Sequence, residues 1–227
     1  MEHFEMELGE LKQTLLTMAS HAENAVNQAV HALAQRDYDL ATRVKDDDAV
    51  IDRLEVEIDE LAIQLLAKAP LASDLRFVTV AMKISQNLER VGDEAAKIAK
   101  RARDLSSEPP VRVQIDLQHM AGLVLSMLKA SLDAFVQRDA AAAREVLPRD
   151  REVNALNKQF SAEIAGHMMQ HPGEIKCCLN LMVVVKSLER IGDHAKNVAE
   201  EVVYLCEAQD IRHKGVGKQA PARSSKV

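Results

Sequence analysis

The feature that most constrains this chain is a phrase written twice, one hundred residues apart. Its copies are Leu88-Glu89-Arg90-Val91-Gly92-Asp93-Glu94-Ala95 and Leu188-Glu189-Arg190-Ile191-Gly192-Asp193-His194-Ala195. In a chain of 227 residues that offset divides the molecule into two similar halves of about 100 residues, each able to build a core. Each copy places a Glu and an Asp four positions apart. On an α-helix this step stacks two negative charges on one face, at a cost of about 0.2–0.5 kcal/mol unless a cation lies against them. The repeat therefore predicts a duplicated helix with an unmet demand for positive charge.

The flanking sequence predicts long helices and no strands. Apolar residues recur in steps of three and four at Leu8, Leu11, Leu15, Met18, Ala22, Ala25, Ala29 and Leu33, giving one helix over 6–36. A turn at Gln35-Arg36-Asp37 leads to a second seam of Leu40, Val44, Asp47, Ile51, Leu54, Ile58, Leu61 and Leu65, stopped by Pro70. The third helix opens near Ser73 and Asp74, which are good capping residues, and carries Ile84, Leu88, Val91, Ala95, Ile98 and Ala102. Pro109-Pro110 punctuates the chain. The plan then repeats: a helix over 116–136, the turn letters again as Gln137-Arg138-Asp139, a fifth helix to about Met169 with Pro148 near its start, and a sixth helix after Pro172-Gly173. The expectation is an all-α fold of two tandem three-helix bundles, 1–107 and 111–209, followed by a disordered basic tail, 210–227.

Charge and composition exclude several classes of function. From Asp210 onward five Lys or Arg oppose one Asp, so the tail is +4 and the rest of a chain of net charge −6 is −10. A body that acidic argues against nucleic acid as a partner. Neither a signal-peptide pattern nor an apolar run approaching the about 20 residues of a membrane span is read, so the expected location is the cytoplasm. The three cysteines, Cys177, Cys178 and Cys206, are an odd number without CxxC spacing and are read as reduced, buried thiols.

Heptad letters indicate where the repeated acids point. With Leu88 at a and Val91 at d, Glu89 falls at b and Asp93 at f, outside the bundle and away from its seam, and Glu189 and Asp193 take the same letters. On the second helix Asp48 and Asp52 form a matching column, continued by Glu55 and Asp59. The equivalent pair in the second half is Asp150 and Asn154. Such positions ordinarily carry solvated charge. Their repetition at one register instead favours clustered hard oxygen donors for magnesium, manganese or iron in an open site.

These motifs resemble the PhoU family of phosphate-transport accessory proteins. The resemblance rests on the paired Leu-Glu-Arg-(Val/Ile)-Gly-Asp-x-Ala phrases, the Pro70-x-Ala72-x-Asp74-Leu75-Arg76 entry and Asp48-x-x-x-Asp52-x-Leu54-Glu55, and it spans about Glu5 to Glu207. It implies multinuclear iron or zinc clusters on the bundle surface. Their ligands would be Asp48, Asp52, Glu89 and Asp93 in one half, and Asp150, Asn154, Glu189 and Asp193 in the other. Asn154 departs from the pattern by offering a carbonyl in place of a carboxylate, and His194 stands where the first half has Glu94, as a ligand or a neighbour. The resemblance further implies a regulator, not a catalyst. It would sit between the ATPase of the phosphate ABC transporter and a sensor histidine kinase, would be dimeric in many members, and would silence the phosphate-starvation regulon when phosphate is plentiful.

Two rival readings remain. A ferritin-like di-iron enzyme would need core carboxylates and two Glu-x-x-His steps, and the sequence has none. A metal-free helical scaffold would be indifferent to the exposed acids. Among lesser signals, His167 and His171 have the spacing to chelate zinc or nickel, but at a helix end they are read as solvated and favoured by the dipole. Adjacent Cys177 and Cys178 point about 100° apart, too divergent to share one ion readily, and are read as core-facing or interface residues. Arg90 and Arg190 either pair with acids on a neighbouring helix or orient the site. The basic tail is a weak candidate for an anionic membrane surface.

Overall fold

The structure, a computed structural model, describes residues 2–68 and 71–212. Seven helices follow one another: α1 (Glu2–Gln35), α2 (Tyr38–Leu66), α3 (Ala72–Ser106), α4 (Leu117–Gln137), α5 (Ala140–Val146), α6 (Asp150–Gln170) and α7 (Ile175–Glu207), and no strand occurs among the described residues. Helices α1, α2 and α3 form the first bundle. Helices α4 and α7, with the α5–α6 pair, form the second. The expected fifth helix is thus two helices, because Pro148 lacks an N–H and forces the 3-10 turn Leu147–Arg149 between them.

The duplicated turns fold alike. Arg36 and Arg138 both adopt the left-handed conformation, with φ of 56° and 53°. That costs a non-glycine residue about 1 kcal/mol, and the next residue offsets it. Asp37 accepts from Leu40 N at 2.9 Å, and Asp139 accepts from Ala141 N at 2.9 Å and Ala142 N at 3.0 Å, capping the following helices. Arg36 also donates to Leu105 O at 2.5 Å and to Glu108 O, closing the last turn of α3. The cap expected for α3 is different. The helix is flanked by Leu71, which makes no side-chain cap bond, and Ser73 and Asp74 lie inside the first turn, where Asp74 still favours the helix dipole. Ala69 and Pro70, the expected stop of α2, lie outside the described residues, and α2 ends at Leu66.

The seams pack as their periodicity predicts: Leu15, Met18, Val44, Ile51, Ile58, Ile84, Leu88 and Ile98 are almost fully buried. Each such side chain contributes about 1.5–3 kcal/mol through apolar burial. Helices α3 and α7 bury more than one face, since each packs inside its own bundle and against the other. Small residues serve the packing within each bundle: Gly92 of α3 faces Ile51 and Asp48 of α2, and Gly192 of α7 faces Val153 of α6. A continuous apolar core crosses from one half to the other. Polar contacts flank it: Lys83 Nζ reaches Glu201 at 3.1 Å, Arg190 Nη1 reaches Glu94 at 3.1 Å, and Arg101 Nη1 donates to Asn180 Oδ1 at 3.3 Å.

Three sequence expectations change here. Helix α4 is, by length and composition, apolar enough to cross a membrane, although no such run was expected; half of it is buried within the protein, where Met120, Val124, Met127 and Leu128 join the core. Cys177 and Cys178 are buried thiols, but Cys206 is exposed and donates to Arg138 O at 3.2 Å. At the head of the basic tail, Ile211 packs on the core and Arg212 pairs with Glu201 at 3.2 Å and Asp210 at 2.5 Å. The rest of the tail, 213–227, for which disorder was expected, lies outside the described residues.

Candidate metal centre

Two acidic columns face each other along the groove between α2 and α3. Asp48, Asp52 and Glu55 line α2 at steps of four and three, and Glu89 and Asp93 line α3. The two helices pass close together at Gly92. An alanine Cβ there would stand 3.0 Å from Asp48 Oδ1 and 2.8 Å from Ile51 Cδ1, so the missing side chain is what lets α2 lay Asp48 across α3 beside Asp93. This is the physical reason for a glycine inside the repeated phrase, and the heptad reading gave it no role.

The charges in this groove disfavour one another. Burial, then Asp52, then Asp93, push the Asp48 carboxyl up to about 6. Burial raises Glu89 too, reinforced by Asp93, Glu55 and Asp52. Glu55 rises through burial and its neighbours Asp59 and Asp52. Five carboxylates share the groove with two cations: Lys97, whose Nζ lies 3.7 Å from Asp93 Oδ2, and Arg90, which acts on Glu55 and Glu89. A multiply charged cation would relieve the excess, and a donor set made only of oxygen suits iron, manganese or magnesium better than zinc, which prefers imidazole and thiolate. Asp48, Asp52, Glu89 and Asp93, with Glu55 beside them, are therefore candidate oxygen donors for such an ion, although among the described residues no three of them bring ligand atoms within 4.8 Å of one another.

The corresponding group between α6 and α7 is built differently. Asp150 and Glu189 are 7 % and 8 % exposed, so the expectation that all the repeated acids lie on the outer surface fails here. Helix α7 has packed neighbours on several sides, which covers letter b at Glu189 and leaves Asp193 at f half-buried. Burial, then Glu189, then Asp150, push Asp193 up to about 6. Here, however, ammonium groups are already in place. Lys196 Nζ lies 3.0 Å from Asp150 Oδ2, Lys186 pairs with Glu189, and Asn154 Nδ2 donates to Asp150 Oδ2 at 3.2 Å. Three carboxylates face two lysines, so the second half fits a metal less well than the first.

The remaining sequence candidates sort themselves along the α3–α7 seam. A polar cleft there is lined from both halves by Arg90, Asp93, Lys97, Arg190, Asp193 and His194. Arg190 pairs across the seam with buried Glu94, to which Lys97 Nζ also donates at 3.0 Å. Burial works to raise Glu94, but Ser187, Lys97 and Arg190 outweigh it and hold the carboxyl below its ordinary range. His194 turns toward α3, with Nδ1 3.0 Å from Asn87 Oδ1. Burial and then Arg90 lower its pKa. Its partner is thus a residue of the opposite half.

Fold and site together define a class: a tandem pair of three-helix bundles, each carrying an acidic groove between its second and third helical columns. The PhoU domain model matches residues 15–102 and 117–202, one match per half, and the chain belongs to that family. A phosphate-specific transport system accessory protein PhoU homolog from Pseudomonas aeruginosa is 40 % identical over 217 residues, covering 95 % of this chain and 90 % of that protein. A homolog of the same description from Aquifex aeolicus is 36 % identical over 211 residues, 92 % of this chain and 96 % of its own length. The crystal structure of PhoU from Pseudomonas aeruginosa superposes with a TM-score of 0.87 at 40 % identity, over 91 % of this chain and all of that one. The phosphate transport system regulatory protein PhoU from Streptococcus pneumoniae superposes with a TM-score of 0.84 at 32 % identity, over 92 % of this chain and 99 % of that one.

Proposed function

We propose that this chain is a non-catalytic regulator of phosphate transport that restrains uptake and keeps the phosphate-starvation response silent when phosphate is plentiful. The observation that carries the reading is the pair of PhoU domains spanning both halves, together with relatives 36–40 % identical along almost the whole chain that are described as phosphate-specific transport accessory proteins. In finer detail, the protein is an adaptor at the cytoplasmic face of the membrane, between the ATPase subunit of the phosphate ABC transporter and the sensor histidine kinase of the phosphate two-component system. Long, rigid helical faces suit such docking. The exposed Val56 and Ile63, seven apart on α2, offer an apolar stripe for a second copy of the chain in a homodimer.

The acidic groove of the first half would hold a multinuclear iron or manganese cluster. Bound metal would neutralise the groove and fix α2 against α3, so metal loading would set the shape of the face presented to a partner. The test is deletion of the gene followed by a phosphatase reporter in phosphate-rich medium. The reading expects derepression, restored by the native chain. A reporter that stays silent in the deletion strain would leave the family assignment standing and remove the regulatory role.

A further inference from the structure

We propose that His167, His171 and Glu174 form a separate binding site for one divalent ion of the zinc, nickel or cobalt class, at the corner where α6 passes into α7. Among the described residues, ligand-capable atoms of these three side chains lie within 4.8 Å of one another. His167 stands in the last turn of α6 and His171, four positions on, is the residue that ends it, so the two rings come together at the helix end. Their centroids are 4.3 Å apart with a tilt of 32°. The third ligand arrives through the turn. Pro172–Glu174 forms a 3-10 turn that brings Glu174 back over the helix end, and its carboxylate Oε2 lies 2.7 Å from His167 Nε2.

Three features distinguish this arrangement from a solvated histidine pair. Glu174 flanks the N-terminus of α7 but makes no side-chain bond to cap that helix, so its carboxylate is committed to the histidines. The His167 side chain is only 14 % exposed, which holds one ligand in place before any ion binds. The site also lies against the last turn of α6, whose carbonyl ends favour a cation. Ligand atoms about 2.0–2.2 Å from a tetrahedral ion stand about 3.4 Å apart, so the His167–Glu174 contact opens slightly while His171 closes in. Imidazole selects a softer ion than the all-carboxylate groove does. The site retains one open position for water or a partner's ligand.

The experiment uses the full chain, stripped by chelator, labelled at histidine nitrogens and titrated with Zn2+ alone. The ring signals of His167 and His171 are expected to move together and saturate at one equivalent. His171→Ala, an exposed position, is expected to weaken this binding at least about 100-fold, since losing even an outer-shell partner costs 10–100-fold. Glu174→Gln serves as a second variant, with the same direction expected. In Asp48→Asn with Asp93→Asn the two ring signals should respond as in the native chain, which separates this site from the acidic groove. Ring signals that move only at millimolar Zn2+, alongside the other histidines, would overturn the proposal. So would a His171→Ala chain that binds as tightly as the native one.

Discussion

Replacing Gly92 with alanine tests whether the repeated glycine sets the geometry of the first acidic groove. The new Cβ would lie 2.8 Å from Ile51 Cδ1 and 3.0 Å from Asp48 Oδ1. Ile51 is 2 % exposed, so its tip has no open space to enter. Overpacking of this kind costs about 1–3 kcal/mol, whereas Gly→Ala inside a helix gains about 1 kcal/mol. A contact this far inside van der Waals distance belongs at the upper end, which leaves a net loss of about 1–2 kcal/mol. Gly192 is the internal control. There the Cβ meets Val153 Cγ1 at 3.3 Å, a contact only a few tenths too tight, so the gain and the cost nearly cancel. Urea and thermal denaturation of both variants read the difference: Gly92→Ala should lower Tm by roughly 2–8 °C and Gly192→Ala should lie within about 2 °C of native. Because Asp48 is displaced, Gly92→Ala should also weaken Mn2+ binding. Equal stability of the two variants would refute the close-packing argument. Loss of stability with Mn2+ affinity intact would refute the claim that the glycine positions Asp48.

The remaining predictions concern charge. Asp48 and Asp193 are raised from 3.8 to about 6, so the folded, metal-free chain holds protons that the unfolded chain has lost. Their contribution to stability is therefore present below about pH 4 and is lost as pH rises through 6, a component of about 1–2 kcal/mol after allowance for solvent screening. Stability of the stripped chain, followed from pH 5 to 7, should show that fall, and saturating Mn2+ at pH 7 should reverse it. Apparent Mn2+ affinity should drop as pH is lowered through about 6, because protons then compete for the same oxygens. Glu94 runs the other way, since its carboxyl is held low and its contribution disappears on acidification through that lowered range. Glu94→Gln should cost about 1–2 kcal/mol in denaturation at pH 7, its cationic partners being half-exposed. Lys196→Met combined with Asn154→Asp removes a resident ammonium and restores a carboxylate in the second half. Calorimetry should then show an additional Mn2+ equivalent relative to the native chain.

The helices were legible in the sequence because each bundle buries a regular apolar seam, and a period of 3.5 needs no knowledge of neighbours. The candidate ligands were legible because they recur at one register. What the period could not convey was the packing of α3 against α7, since a heptad assumes one covered face. That is why Glu94, one residue beyond the repeated Asp, gave no signal that it would become a buried partner of Arg190; Glu189 and Asp150 also looked exposed and are buried, beside Asp193 in the α6–α7 groove. Glu55 was visible as part of the same acidic column but unassigned. The His167 and His171 spacing was visible as well. The arrival of Glu174 depends on the 3-10 turn at Pro172–Glu174, which no periodicity encodes.

The most direct measurement of the central claim is anomalous diffraction from crystals of the full chain grown with Mn2+ or Fe2+. The account predicts peaks in the α2–α3 groove, among Asp48, Asp52, Glu89 and Asp93, and weaker or absent peaks beside Asp150 and Lys196. A groove that stays empty when the ion is supplied, or an ion bound beside Asp150 in preference to Asp48, would contradict it.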